Sequence, residues 1–137
     1  EITSFGSLSR LYQNLLPSKE KREIAHYFGL ADSVFETWLH SIVYLRNVCA
    51  HHTRLWNRIM QITPQNPRKP HLDWIKEPNV ANNRTYFMLC MIKYLLQTVN
   101  PNNAFKGKIL ELSEKYKNIS FNAMSFTNNW VDEPLWV

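Results

Sequence analysis

The stretch from Tyr44 to Arg58 concentrates side chains that can move protons and bind phosphate. It reads YLRNVCAHHTRLWNR and holds two adjacent histidines, three arginines and two asparagines. Cleaving RNA without a metal requires a base for the 2′-hydroxyl proton, an acid for the leaving oxygen and positive charge near the phosphorane. Imidazole suits the proton transfers because its unperturbed pKa is about 6.5. Guanidinium suits the phosphate because it is planar and always charged. These residue types therefore favour chemistry on a phosphodiester.

Placed on one α-helix at ~100° per residue, this stretch separates into a polar arc and an apolar arc. Asn47 and His51 are i,i+4 neighbours that can face one another, and Arg54 follows about one turn later. His52 falls among apolar residues, so the helical placement predicts that His52 is more buried than His51. A helix break near residues 50–53 would change this placement. The polar arc consists of Arg46, Asn47, His51, Arg54, Asn57 and Arg58.

Arg46 and His51 supply only half of a cleavage site. They are offset by ~140° on a straight helix, so they meet only if the helix breaks or if a second copy of it crosses the first. A two-fold dimer would contribute two histidines and two arginines. The residues alone leave an alternative open, in which Arg46 pairs with Glu36 or Asp32 and His51 is an ordinary surface residue.

Other chemistries lack the residues that they need. The five histidines include no HExxH pattern, and adjacent histidines on a helix point about a quarter-turn apart, so no metal and no cofactor is expected. Cys49 and Cys90 lie in apolar helical patterns and are predicted to be reduced core residues. Only three glycines are present, which argues against a glycine-rich phosphate loop.

Composition indicates a basic globular protein. The 137 residues are 45% hydrophobic, carry a net charge of +5 and have a pI near 9.3. The charge favours an anionic partner. No apolar run approaches the ~18 residues that span a bilayer, and nothing resembles a signal peptide. A cytoplasmic protein without a membrane segment is therefore expected.

The hydrophobic periodicity predicts an all-α fold of about five helices. Ser18 is predicted to cap the second helix, Gly29 to end it, and Ser33 with Glu36 to form a capping box on the third. The aromatic C-terminal tail, from residue 118 onward, is predicted to dock onto the helices. The predicted helices cover about residues 7–16, 19–28, 34–59, 84–99 and 104–116.

Residues 61–83 are predicted to form a long loop between the third and fourth helices. Four of the seven prolines fall in this segment. Long loops inside a domain are often functional, although a solvated connector is the plainer interpretation. Arg68 and Lys69 are weaker candidates for phosphate contacts.

Longer blocks of the sequence resemble a known family. RNVCAH, Arg46 to His51, resembles the R-x(4–6)-H signature of HEPN domains, in the version with a polar residue after the arginine. The surrounding block FETWLHSIVYLRNVCAHHTRLWNR resembles the Abi-like family of phage abortive-infection proteins. SFGSLSRLY upstream and NNWVDEPLW near the end extend the resemblance over most of the chain.

The resemblance implies a compact, HEPN-like helical domain over residues 1–137. It implies a metal-independent ribonuclease that works as a homodimer, with the active site at the subunit interface, in toxin-like defence against phage. Its partner would be RNA, with an antitoxin or a regulatory RNA as a further partner. Family members usually carry another helical half before the segment matching Ser4-Phe5-Gly6, so this chain would be the C-terminal portion of a longer protein.

The leading hypothesis from sequence assigns a role to each residue of the motif. His51 would be the general acid/base, Arg46 would stabilise the scissile phosphate, and Asn47 would orient one of them. One alternative is a non-catalytic helical module that binds RNA or a partner protein through the same face. Another is a structural role, in which the aromatic tail mediates assembly. Further RNA contacts are predicted for Arg54, Arg58, His52 and Asn57.

Overall fold

The computed structural model describes residues 4–137, and within them it contains five α-helices and no strand. Short 3₁₀ turns shape the C-terminal tail. The prediction of an all-α fold with about five helices is confirmed. In none of the described helices is there an apolar stretch long enough to cross a membrane. The helices are α1 (Phe5–Asn14), α2 (Lys19–Tyr27), α3 (Asp32–Ala50), α4 (Thr85–Val99) and α5 (Phe105–Lys115).

Local signals set the bounds of α1 and α2. The Ser4 hydroxyl accepts the Ser7 N–H at 3.1 Å, and the Ser18 hydroxyl accepts the Lys21 N–H at 3.1 Å. Both serines thus cap a helix by satisfying a free N–H of its first turn. Gly29 follows α2 with φ +68, a backbone conformation that costs glycine little. The predicted Ser18 cap and Gly29 terminus are confirmed.

The start of α3 differs from the prediction. Ala31 is its N-cap residue, and no side chain caps it. The predicted capping box is wrong because the Glu36 carboxylate points to α2, where its Oε2 lies 2.9 Å from Lys21 Nζ. Lys21 is only 7% exposed, and a buried ammonium needs such a partner. This ion pair joins α2 to α3.

Residues 61–83 form a loop without helix or strand, but it is fixed to the helices at several points. The Trp38 indole N–H donates to the Gln65 carbonyl at 2.8 Å, and the Asn82 amide donates to the Pro64 carbonyl at 2.9 Å. The Glu133 carboxylate accepts N–H groups from the far end of the loop. The loop is therefore a defined wall of the domain.

The C-terminal tail packs against α4, as predicted. Phe126, Trp130, Leu135 and Trp136 are all buried. The Trp136 ring stacks on Phe105 of α5 and lies against Trp130 and Tyr86. Aromatic burial of this size dominates core energetics. The tail thereby covers the part of the core formed by α4 and α5.

Candidate functional site

Helix α3 ends at Ala50, inside the stretch from Tyr44 to Arg58 that carries the predicted site. The His51 N–H still donates to the Asn47 carbonyl at 3.0 Å, and His52 then adopts φ 52. The N–H and the hydroxyl of Thr53 both donate to the Val48 carbonyl, at 3.2 and 2.7 Å. A threonine that binds the backbone in this way competes with helix continuation. The break considered from the sequence is confirmed.

This break makes the helical placement of residues 54–58 wrong. They do not extend the α3 stripe, because the chain turns away after His51. His51 and His52 are both exposed, so His52 is not buried among apolar residues as the helical placement implied.

A groove of about 570 Å³ runs between α1 and α3 and takes in part of the predicted site. Arg46 and Asn47 line it from α3, together with His40. Arg10 lines it from α1, beside a row of serines. Hydroxyls, an amide, an imidazole and two guanidiniums are groups that bind phosphate and sugar oxygens. The complete lining is Ser4, Gly6, Ser7, Ser9, Arg10, His40, Val43, Tyr44, Arg46, Asn47 and Ile62.

The positive charge of the groove is not neutralised by neighbouring acids of the described chain. Within residues 4–137, neither Arg10 nor Arg46 forms an ion pair. The two acids considered as partners for Arg46 are engaged elsewhere. Glu36 binds Lys21, and the Asp32 carboxylate accepts the Ser33 N–H at 2.9 Å. An anion that enters the groove would thus meet two guanidiniums, neither of which is paired with a carboxylate of residues 4–137.

His51 lies at the end of α3 rather than in the groove wall. It is the C-cap residue, one turn beyond Asn47. His40, Asn47 and His51 are spaced by seven and four residues, which places them along one side of the helix. The structure therefore gathers Arg46 and Asn47 in the groove and sets His51 beside its end.

The remaining predicted RNA contacts divide into free and engaged side chains. Arg54 and His52 are exposed in the turn after α3. Asn57, at φ 53, accepts a hydrogen bond from Arg84 at 2.6 Å, and Arg84 also binds the Ala123 carbonyl. Arg58 is half-buried, and its Nε donates to the Tyr44 hydroxyl at 3.5 Å. Asn57 and Arg58 therefore hold the turn in place.

Tyr44 links this turn to the groove that it lines. Its hydroxyl accepts from Arg58 and from the Gln61 N–H at 3.4 Å. The hydrogen bond from the Arg58 guanidinium lowers the pKa of Tyr44 from its ordinary value, against a smaller opposing effect of burial. The Arg58 guanidinium at the Tyr44 hydroxyl thus adds positive charge next to the groove wall.

Arg68 and Lys69 do not join the groove. Both are exposed and line a separate cavity of about 490 Å³ between the proline-rich loop and the start of α3. Their positions give no support to a shared phosphate path with Arg46.

Sequence reasoning missed Arg10 and His40. His40 stands seven residues before Asn47, a spacing that repeats on one helix face, so periodicity could have found it. Arg10 belongs to α1, and only the packing of α1 against α3 brings it to Arg46. No sequence signal connected those two residues.

The two cysteines lie in different environments. Cys90 is fully buried, as predicted, and burial raises the pKa of its thiol to about 12. Cys49 is exposed, so its predicted core position is wrong. It lies in the last turn of α3, where the break removes the neighbours that a continuing helix would supply. Over residues 4–137 no group of three or more His, Cys, Asp or Glu side chains could hold a metal ion.

Comparison with known protein families gives a match for the first part of the chain. Residues 1–57 match the family model described as Abi-like protein. The match covers α1, α2, α3 and the turn after it, and so includes the groove residues Arg10, His40, Arg46 and Asn47 with His51. The C-terminal block from Asn128 to Trp136 lies outside it. Neither the curated proteins nor the solved structures contain a significant match. Residues 1–57 of this chain are therefore similar to the Abi-like family.

Proposed function

We propose that this protein is a metal-independent endoribonuclease of the HEPN type that acts in the cytoplasm in defence against phage. The observation that carries the proposal is the α1–α3 groove, in which Arg46 and Asn47 lie on a positively charged surface, with His51 one turn beyond them. The similarity of residues 1–57 to the Abi-like family supports the role in abortive infection. The exposure of Arg46 and His51 leaves both side chains accessible to a polymer.

The chemistry divides among these residues as follows. An imidazole of His51 takes the proton of an RNA 2′-hydroxyl, and the 2′-oxygen forms a bond to the adjacent phosphorus. The bond from phosphorus to the 5′-oxygen breaks, and that oxygen receives a proton, which leaves a 2′,3′-cyclic phosphate and a 5′-hydroxyl. The Arg46 guanidinium stabilises the negative charge of the phosphorane, and Asn47 orients the phosphate or the imidazole.

One chain supplies one imidazole and one Arg46 guanidinium, whereas cleavage needs both a base and an acid. A two-fold homodimer that pairs the ends of two α3 helices provides the second histidine. The break after Ala50 favours this arrangement, because it leaves His51 at the tip of the helix rather than along its side. RNA cleavage that halts the cell must also be kept inhibited, and an antitoxin or a regulatory RNA is the expected inhibitory partner.

The test incubates the protein with single-stranded RNA in EDTA. Cleavage is expected to persist, and His51→Ala is expected to lower its rate by about 10²–10⁴-fold, the usual contribution of a general acid or base. His26→Ala is a matched control, since His26 is an exposed imidazole on α2 that does not line the groove. Full activity in His51→Ala, or activity abolished by EDTA, would refute the assignment.

A second candidate is a non-catalytic module that binds RNA through the same groove. One observation favours it, namely that the groove is complete without His51. Salt-dependent RNA binding with no cleavage at any protein concentration would select this function. Light scattering on the same samples would report whether the binding species is a dimer.

A further inference from the structure

The α1–α3 groove adjoins a smaller pocket of different chemistry. This pocket has a volume of about 130 Å³ and is walled by Gln13, Glu36, Thr37 and Thr63. Ser9, His40 and Ile62 line both the pocket and the groove, so the two spaces are adjacent. The pocket is several times larger than the roughly 30 Å³ that a water molecule occupies in the liquid. It therefore has room for one small planar ring.

The two ends of this path differ in charge. Arg10 and Arg46 stand at the groove end and form no ion pair within residues 4–137, whereas the Glu36 carboxylate of the pocket is paired with Lys21. A phosphate is therefore attracted to the groove end, where the guanidiniums lie. A ligand that fills both spaces is expected to carry its anionic part at the groove end and a hydrogen-bond donor toward the Glu36 oxygen that Lys21 leaves unbound.

Hydrogen bonds hold the Glu36 and Thr37 side chains of the pocket wall in place, and several of its polar groups stay available. Lys21 binds one oxygen of Glu36 and also donates to the carbonyls of Gln13 and Leu15, at 3.4 and 3.3 Å. The Thr37 hydroxyl donates to the Val34 carbonyl and accepts the Gln65 N–H, so its one proton is not available to a ligand. Within the described chain, Glu36 Oε1 and the Gln13 side-chain amide make no hydrogen bond.

We propose that this pocket binds a nucleobase of single-stranded RNA and prefers cytosine to uracil. The inference rests on the proposed RNA-binding function of the groove. A carboxylate only accepts hydrogen bonds, and cytosine presents its N4 amino group where uracil presents an acceptor. The edge that carries this amino group is free only in an unpaired strand. The Gln13 amide can serve a second position on the same edge, and His40 lies between base and phosphate.

The test measures binding separately from cleavage. Fluorescence anisotropy compares short 2′-O-methyl oligocytidine with 2′-O-methyl oligouridine of equal length, because neither can be cut through a 2′-hydroxyl. Oligocytidine is expected to bind about tenfold more tightly, within the range of one good base-edge contact. Glu36→Gln is expected to reduce this ratio to less than about twofold, since an amide serves either base.

Matched variants separate the pocket from the groove. Arg46→Ala should weaken both oligonucleotides alike and keep their ratio, whereas Glu23→Gln, a change of the same type at an exposed acid of α2, should alter neither. Glu36→Gln also removes the partner of Lys21, so Gln13→Ala, at an exposed side chain, provides a second measurement with an expected smaller loss of preference.

Each remaining outcome bears on the proposal. Equal affinity of the unaltered protein for the two oligonucleotides would overturn the base pocket, as would an unchanged ratio in folded Glu36→Gln and Gln13→Ala. If the protein cleaves RNA but binds the two oligonucleotides equally, the base pocket fails and the nuclease stands. If it prefers oligocytidine but cleaves nothing, the nuclease fails and the pocket stands.

Discussion

Polar side chains are exposed in the α1–α3 groove but buried in the core under the C-terminal tail. In the groove, Arg10, His40 and Arg46 are exposed to solvent. Under the tail, Tyr86 and Cys90 are buried among aromatic rings, and burial raises the pKa of both. The basic side chains of the groove stay in water, whereas burial holds the Tyr86 hydroxyl and the Cys90 thiol neutral. The fold thus separates the residues that stabilise it from those that can act on a substrate.

Removal of the Trp136 ring tests this separation with the largest expected effect on stability. Trp136 is 1% exposed and contacts Phe105, Trp130 and Tyr86. Trp136→Ala is expected to lower the free energy of unfolding by about 3–5 kcal/mol, through lost burial and the cavity left behind. Urea unfolding followed by circular dichroism measures the loss. Trp136→Phe should lose less because it retains a ring.

Arg46→Ala is the matched change in the groove. It should alter the free energy of unfolding by no more than about 0.5 kcal/mol, as expected for an exposed residue that forms no ion pair or side-chain hydrogen bond within residues 4–137. A loss as large as that of Trp136→Ala would show that Arg46 also stabilises the fold. The proposed separation between groove residues and stabilising residues would then be wrong.

Reactivity of the two cysteines provides a sharper and smaller test. Cys49 is exposed at the groove end of α3, and Cys90 is 0% exposed with a pKa raised to about 12. At neutral pH one thiol per chain should react promptly with a disulfide reagent. The second should react at least about a hundred times more slowly, because labelling requires the core to open.

Cys49→Ser identifies the fast thiol. This variant should lose the rapid phase and keep the slow one, and urea should expose the remaining thiol. Two rapid thiols in the native protein would mean that the core beneath the tail opens readily, contrary to its dense packing.

The sequence predicted the elements far better than it predicted the site. Periodicity located α4 and the docked tail because buried aromatic and aliphatic residues leave a regular pattern. The turn after Ala50 escaped detailed prediction, since its geometry depends on Thr53 binding the Val48 carbonyl and on a left-handed His52. Arg10 escaped because its proximity to Arg46 arises from helix packing rather than from spacing. Motif positions therefore identified α3 but not the partner helix that completes the groove.

The smallest expected effect concerns Tyr44, which connects the groove wall to the turn. Its pKa is lowered by the hydrogen bond from Arg58, whereas burial raises the pKa of Tyr12 to about 12. In a spectrophotometric titration near 295 nm, Tyr44 should therefore form its phenolate before Tyr12, and Tyr44→Phe should remove that early phase.

The same shift in pKa affects stability. Because the pKa of Tyr44 in the folded protein lies below the unfolded value of about 10, Tyr44 adds stability above about pH 10, and this stability is lost as the pH falls through the folded pKa. The free energy of unfolding of the unaltered protein minus that of Tyr44→Phe should thus rise across this interval. Arg58→Ala should shift the early phase to higher pH. If the phase is unchanged in that variant, Arg58 does not support the groove wall, and its side chain becomes available for RNA.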